Sequence, residues 1–219
     1  MSVDTKALFR ESFSAELEKR VKESPSYGVE DYSVTGKARA PYGKRTLAYW
    51  EDNGHTLVDN WVEWRKATRW EIWEPDGEPA IELGIDFILP GDIKVKTFID
   101  RVFVLPTGEP AIVDLKTGRT PETPEQLGLY ATAIESRYGV RINWGYWWDA
   151  HKGTHIGPYD LSRYTPTFFS LLYKEVAAGI NAGCFPPRPA NNCKDWCSTA
   201  RYCAAVGGPD AAGVDPLAS

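Results

Sequence analysis

The sequence predicts a mixed α/β (α+β) fold, a central mixed sheet flanked by helices. The first sign is order: helical periodicity comes first, then a run of strand-like segments, then helix, strand and helix. The second is bulk, since 219 residues with 42% hydrophobic content bury the core of one domain. The third is punctuation, because Pro and Gly fall between the segments where turns need them. The expected organisation is a single domain over 1–206, with a cysteine-bearing segment at 184–203 and a loose tail over 207–219.

Leu8, Phe9, Phe13, Leu17 and Val21 recur at three- and four-residue spacing and predict a helix from about Thr5 to Lys22. Ser24 to Pro41 is rich in Gly and Pro and reads as irregular. A second helix is expected over Lys44–Lys66, bent near Asn53-Gly54. Strands follow at Thr68–Trp73, Ala80–Leu89, Val95–Leu105 and Ala111–Lys116, separated by Pro75-Asp76-Gly77, Pro90-Gly91-Asp92 and Leu105–Pro110. Glu122–Tyr138 reads as a helix with prolines at its start. Ile142–Trp148 and Thr154–Tyr159 read as a strand pair, and Thr165–Asn181 as a helix ended by Gly183. Nine Trp is many for this length, and core filling accounts for most of them.

A net charge of −5 excludes a generally basic nucleic-acid surface, so any phosphate contact must be local or metal-borne. The charged start (Asp4, Lys6, Arg10, Glu11) lacks the apolar core of a signal peptide, and no run is long enough for a membrane span. The expectation is a cytoplasmic protein with no membrane partner, in the host cytoplasm if a phage encodes it.

The segment that carries chemistry is Ile112-Val113-Asp114-Leu115-Lys116. Period-2 alternation puts Ala111, Val113 and Leu115 on one face and Ile112, Asp114 and Lys116 on the other. A hairpin through Leu105–Pro110 sets Asp100 beside Asp114 and Lys116. Two carboxylates suit a hard divalent cation, and a lysine beside them positions a water and offsets developing charge on phosphorus. On the next helix, Gln126 and Tyr130 are four residues apart and share a face, in reach of Lys116 or a nucleic-acid backbone. Lys94, Lys96, Arg101 and Arg119 flank the constellation, either as phosphate contacts or as ordinary solvated charges. His151 and His155 are also four apart, but Lys152-Gly153 between them signals a turn, which argues against a zinc pair. The four cysteines are spaced C-x8-C-x3-C-x5-C from Cys184 to Cys203 and suit a four-thiolate metal site, with a buried apolar thiol as the alternative for Cys184.

Phe98-Ile99-Asp100-Arg101-Val102, Ile112 to Gly118 and Gln126-Leu127-Gly128-Leu129-Tyr130-Ala131 together resemble the PD-(D/E)xK nuclease superfamily. Within it they are most similar to RecB-type domains, which include CRISPR-adaptation nucleases and phage exonucleases. The resemblance implies a restriction-endonuclease-like fold and Mg²⁺- or Mn²⁺-dependent phosphodiester hydrolysis on single- or double-stranded DNA ends. It implies Asp100, Asp114, His55 and the Leu115 carbonyl as metal ligands, Lys116 as the catalytic lysine, and Gln126 and Tyr130 as its support. Glu82 stands where the family carries a further acidic residue; a cross-strand pair with a Lys or Arg is the alternative. His55 reads alternatively as a helix-surface histidine, and Glu63 is a weaker acidic rival. The resemblance also implies a [4Fe–4S] cluster on Cys193, Cys197 and Cys203. The family's distant fourth cysteine has no counterpart before Cys184, so Cys184 replaces it, or the cluster is altered, zinc-filled or absent. The function so implied is a DNA nuclease of recombination, repair or phage DNA processing, working with a helicase or recombination partner. The alternative is a non-catalytic nucleic-acid-binding scaffold on the same fold.

Overall fold

The computed structural model describes residues 4–23, 47–184, 193, 197 and 200–210. The expected irregular stretch after Ser24, the start of the second helix at 44–46 and the tail from 211 lie outside the described residues. The chain forms two compact units, Met1–Ser170 and Leu171–Ser219.

In the first unit, helix α1 (Thr5–Glu23) is followed by α2 (Leu47–Asn53) and α3 (His55–Thr68). Phe9, Phe13, Leu17 and Val21 are half-buried along one stripe of α1, whereas Leu8, counted with them in the sequence, is 49% exposed. The bend expected near Asn53-Gly54 is the α2–α3 junction. A side chain at Gly54 would collide with the Phe9 ring, so glycine lets α1 lie against this junction.

Strands β1 (Glu71–Ile72), β2 (Ile81–Leu89), β3 (Ile93–Val104), β4 (Pro110–Lys116), β5 (Trp144–Asp149) and β6 (Thr154–Asp160) form one sheet. Its path is β1-β3-β4-β5-β6, and β2 pairs with the remaining length of the long strand β3. The expected first strand over 68–73 shrinks to two residues because α3 runs on to Thr68 and Arg69 caps it in the left-handed conformation. β4 and β5 are parallel and the other pairs antiparallel, with helix α4 (Glu125–Tyr138) as the crossover between β4 and β5. This mixed, helix-flanked sheet fits a restriction-endonuclease-like fold.

β4 is buried on both faces from Ala111 to Asp114, as a central strand should be. One face packs Phe103, Ala111, Val113, Tyr146 and Trp148 against Trp61 and Trp64 of α3. Indole and phenyl rings there meet at tilted and edge-on angles, the geometry their quadrupoles favour. His155 is part of this cluster: Trp64 donates its indole N–H to His155 Nδ1 at 3.0 Å. On the other face α4 packs across β2 to β5, burying Leu127, Ala131 and Ile134. Helix α5 (Pro166–Asn181) opens at the end of this unit, where Ser170 donates to the Pro90 carbonyl at 2.6 Å.

Within the second unit, Cys197 N donates to Cys193 O, Ala200 N to Cys197 O and Cys203 N to Ala200 O. Gly208 and Asp210 return backbone bonds to Cys203 and Arg201, and the Arg201 guanidinium pairs with the Asp210 carboxylate. No helix among the described residues is long and apolar enough to cross a membrane.

Candidate active site

The site forms where β3 and β4 part. Their ladder ends at Arg101 opposite Val113, and one further step of the same register sets Asp100 opposite Asp114. Instead of a strand carbonyl, the Asp100 carboxylate accepts the Leu115 backbone N–H at 2.7 Å. That bond fixes Asp100 at the edge of the opening, beside the residue between Asp114 and Lys116.

Asp114 is only 2% exposed. Lys116 Nζ lies 2.7 Å from its Oδ2, an ion-pair distance but not a hydrogen-bonding geometry, so this buried oxygen lacks a hydrogen-bond partner among the described residues. Burial pushes the Asp114 carboxyl above the usual carboxylate range; the Lys116 ammonium beside it opposes this, and the Asp100 charge adds to it. A buried carboxylate oxygen short of a donor, with a second carboxylate beside it, is a place where a cation lowers the free energy.

Lys116 donates to Gln126 Oε1 at 3.0 Å, and Gln126 Nε2 donates to the Tyr130 hydroxyl at 2.7 Å. The helical spacing of Gln126 and Tyr130 therefore does what the sequence leads one to expect: one face of α4 holds the lysine. Tyr130 is kept protonated above its usual pKa, first by burial and then by the negative charge of Asp114 and Asp100, with the Gln126 bond opposing. The Lys116 ammonium stands 4.8 Å from the Trp147 ring centroid, a contact the sequence reading missed. Trp147 lies opposite Asp114 in the parallel β4–β5 register, and only the strand pairing reveals that.

His55 is placed otherwise. It is the first residue of α3, and its Nδ1 is buried without a hydrogen-bond partner among the described residues. The described residues contain no cluster of three His, Cys, Asp or Glu fit to hold an ion, so His55 is not gathered with Asp100 and Asp114. Glu82 pairs with Arg101 at 3.1 Å, the cross-strand alternative named above. Its backbone is in the left-handed region at φ 49°, an uncommon and strained conformation for a glutamate, directly across from the point where the ladder opens. Glu63 pairs with Lys66 on the exposed side of α3. His155 belongs to the aromatic cluster, while His151 sets Nε2 2.9 Å from the Thr117 carbonyl, just beyond Lys116.

The sequence as a whole decides the family. The model of the PD-(D/E)XK nuclease superfamily matches residues 5–204.

The chain belongs to the PD-(D/E)XK nuclease superfamily.

It is 32% identical over 207 residues to the Gene 69 protein of Mycobacterium phage D29, covering 91% of this chain and 74% of the relative. It is 30% identical over 222 residues to the Gene 69 protein of Mycobacterium phage L5, covering 90% of this chain and 74% of the relative. Superfamily membership implies a phosphodiester hydrolase acting on nucleic acid. Asp100 and the donor-poor Asp114 fit a divalent ion of the kind such nucleases use, since magnesium needs only one or two carboxylates and fills its shell with water and phosphate. The cysteines fit less well. Cys193, Cys197 and Cys203 sit on consecutive hydrogen-bonded turns, yet among the described residues they and Cys184 form no group able to hold an ion.

Proposed function

We propose that this protein is a Mg²⁺- or Mn²⁺-dependent DNA nuclease, an exonuclease of the RecB type serving phage recombination, repair or DNA processing. The observation that carries the reading is Asp114: a buried carboxylate with an unbonded oxygen, beside Asp100 and paired with Lys116. The two phage-encoded relatives support the biological setting.

Asp100 and Asp114 would hold the cation, joined by the Leu115 carbonyl. The bound ion would activate a water and neutralise charge at the scissile phosphate. Lys116 then orients the attacking water and stabilises negative charge on the phosphoryl oxygens. Gln126 keeps the ammonium aimed at the opening, and Tyr130, protonated by virtue of burial, anchors Gln126. The proposed thiolate cluster of Cys184, Cys193, Cys197 and Cys203, [4Fe–4S] or zinc, enters none of these steps.

The test is cleavage of end-labelled single- and double-stranded DNA in Mg²⁺, Mn²⁺ or EDTA. Cleavage is expected with either metal and not in EDTA, and Asp114→Ala or Lys116→Ala should each lower it at least about 100-fold. Wild-type activity in either variant would refute the reading. DNA binding without cleavage in any condition would mark a scaffold on a nuclease fold instead.

A further inference from the structure

The β2–β3 ribbon runs up to Asp100 and is asymmetric in a way the fold does not require. Its inner positions (Ile85, Phe87, Leu89, Thr97 and Ile99) are buried. Its outer positions form cross-strand pairs Gly84–Phe98, Asp86–Lys96 and Ile88–Lys94, and all six residues are exposed. A solvated strand face with nothing to bind normally carries polar residues, but Phe98 sits here with 56% of its surface exposed. It is seated rather than loose. The glycine opposite leaves room for the ring, and a Cβ there would come within 3.2 Å of it. Lys96 Nζ lies 5.5 Å from the ring centroid. Neither Lys96 nor Lys94 forms an ion pair among the described residues; Asp86 stands across the strands from Lys96 and Ile88 across from Lys94, so two lysines against one carboxylate flank the exposed ring in a chain of net charge −5.

We infer that the outer face of the β2–β3 ribbon is a binding track for single-stranded nucleic acid, leading its backbone to Asp100. An unpaired base stacks on Phe98, and Lys96 and Lys94 take the phosphates that follow, away from the site. Phe98 is two residues from Asp100, about 7 Å along the strand, so a base held on the ring keeps an adjoining phosphate near the carboxylates. Single strands are favoured over duplex because a lone ring needs an exposed base face, which a paired and stacked base does not offer. One aromatic ring followed by two lysines reads no base edge and so serves sequence-tolerant binding, as suits a nuclease that must process whatever end it meets.

This inference rests on the proposed nuclease reading for its direction but not for its test. Binding of fluorescent single-stranded and blunt duplex oligonucleotides is measured by anisotropy in EDTA, where no cleavage occurs. Phe98→Leu should weaken single-strand binding about 5- to 150-fold, the range of one lost base stack, and Phe98→Trp should retain it. Lys94→Gln with Lys96→Gln should reduce the slope of log affinity against log salt by about 1.4, or about 0.7 for each single-strand phosphate contact. All three side chains are exposed, so the melting temperature of each variant serves as a folding control. Unchanged single-strand binding in the Phe98→Leu and double-lysine variants would overturn the track. An equal loss of duplex binding on Phe98→Leu would overturn the single-strand assignment. Binding that depends on Phe98 in a protein that cleaves nothing would leave the track standing and sink the nuclease reading.

Discussion

Asp114 is buried and His155 half-buried; both titrate, but loss of water serves each to a different end. At Asp114 the ionised form is made costly and a partner cation is thereby favoured, which is a site for chemistry. At His155 burial lowers the pKa, and the neutral ring simply accepts the Trp64 indole N–H on Nδ1. The consequence is a pH-dependent stability. Below about pH 6.5 the unfolded chain takes up a proton at this position that the folded chain resists, so stability falls as pH drops through that value towards the folded pKa. His155→Gln keeps an acceptor for Trp64 but does not titrate. Denaturant midpoints compared at pH 7.5 and pH 5 should fall less for the variant than for the wild type; an equal fall would show that His155 does not carry the effect.

At the scale of elements, α4 connects the fold to the site. Its Gln126 and Tyr130 hold Lys116, and midway between them in sequence, on the opposite face of the helix, is Gly128, whose Cβ would come within 2.3 Å of the Tyr164 ring. Tyr164 is fully buried and has nowhere to move. Gly128→Ala should therefore push α4 outward, with an overpacking cost of about 1–3 kcal/mol. The expected melting temperature is about 2–12 °C lower, with weaker cleavage because Gln126 and Tyr130 move with the helix. An unchanged melting temperature would mean the helix accommodates the methyl group. The sequence displayed the Gln-x-x-x-Tyr spacing but offered no reason for the glycine inside it, since that reason is a tyrosine 36 positions away. The same limit applies across the site. Asp100, Asp114 and Lys116 were legible because strand alternation and one hairpin bring them together. Trp147 and the Asp100–Leu115 bond were not, because a parallel register and a parting of strands leave no local pattern. The Glu82 conformation was hidden for a different reason: glutamate gives no sign of a left-handed backbone.

For the whole molecule, stability and activity should be linked through the cation. A metal that binds only the folded chain raises stability by about 2.7 kcal/mol at a hundred times its dissociation constant. For a chain of this length that corresponds to a rise in melting temperature of about 5–11 °C on adding Mg²⁺ or Mn²⁺. Asp114→Ala should abolish the rise, and a variant that still responded fully would place the ion elsewhere. The order of elements made the sheet and its flanking helices readable, because α4 keeps a helical period and β4 and β5 are short apolar runs on either side of it. The division into units at Ser170–Leu171 was not readable, since it falls inside the uninterrupted apolar pattern of α5.

The lysine over Trp147 also gives the site its own optical reporter. An indole with an ammonium 4.8 Å from its ring centroid emits in a strong local field, and that field changes if the ammonium turns from Asp114 towards an arriving phosphate. Eight other tryptophans contribute background, so the signal is the difference between the wild type and Trp147→Phe. Titrating that difference with a non-hydrolysable oligonucleotide would time the lysine's reorientation without any label.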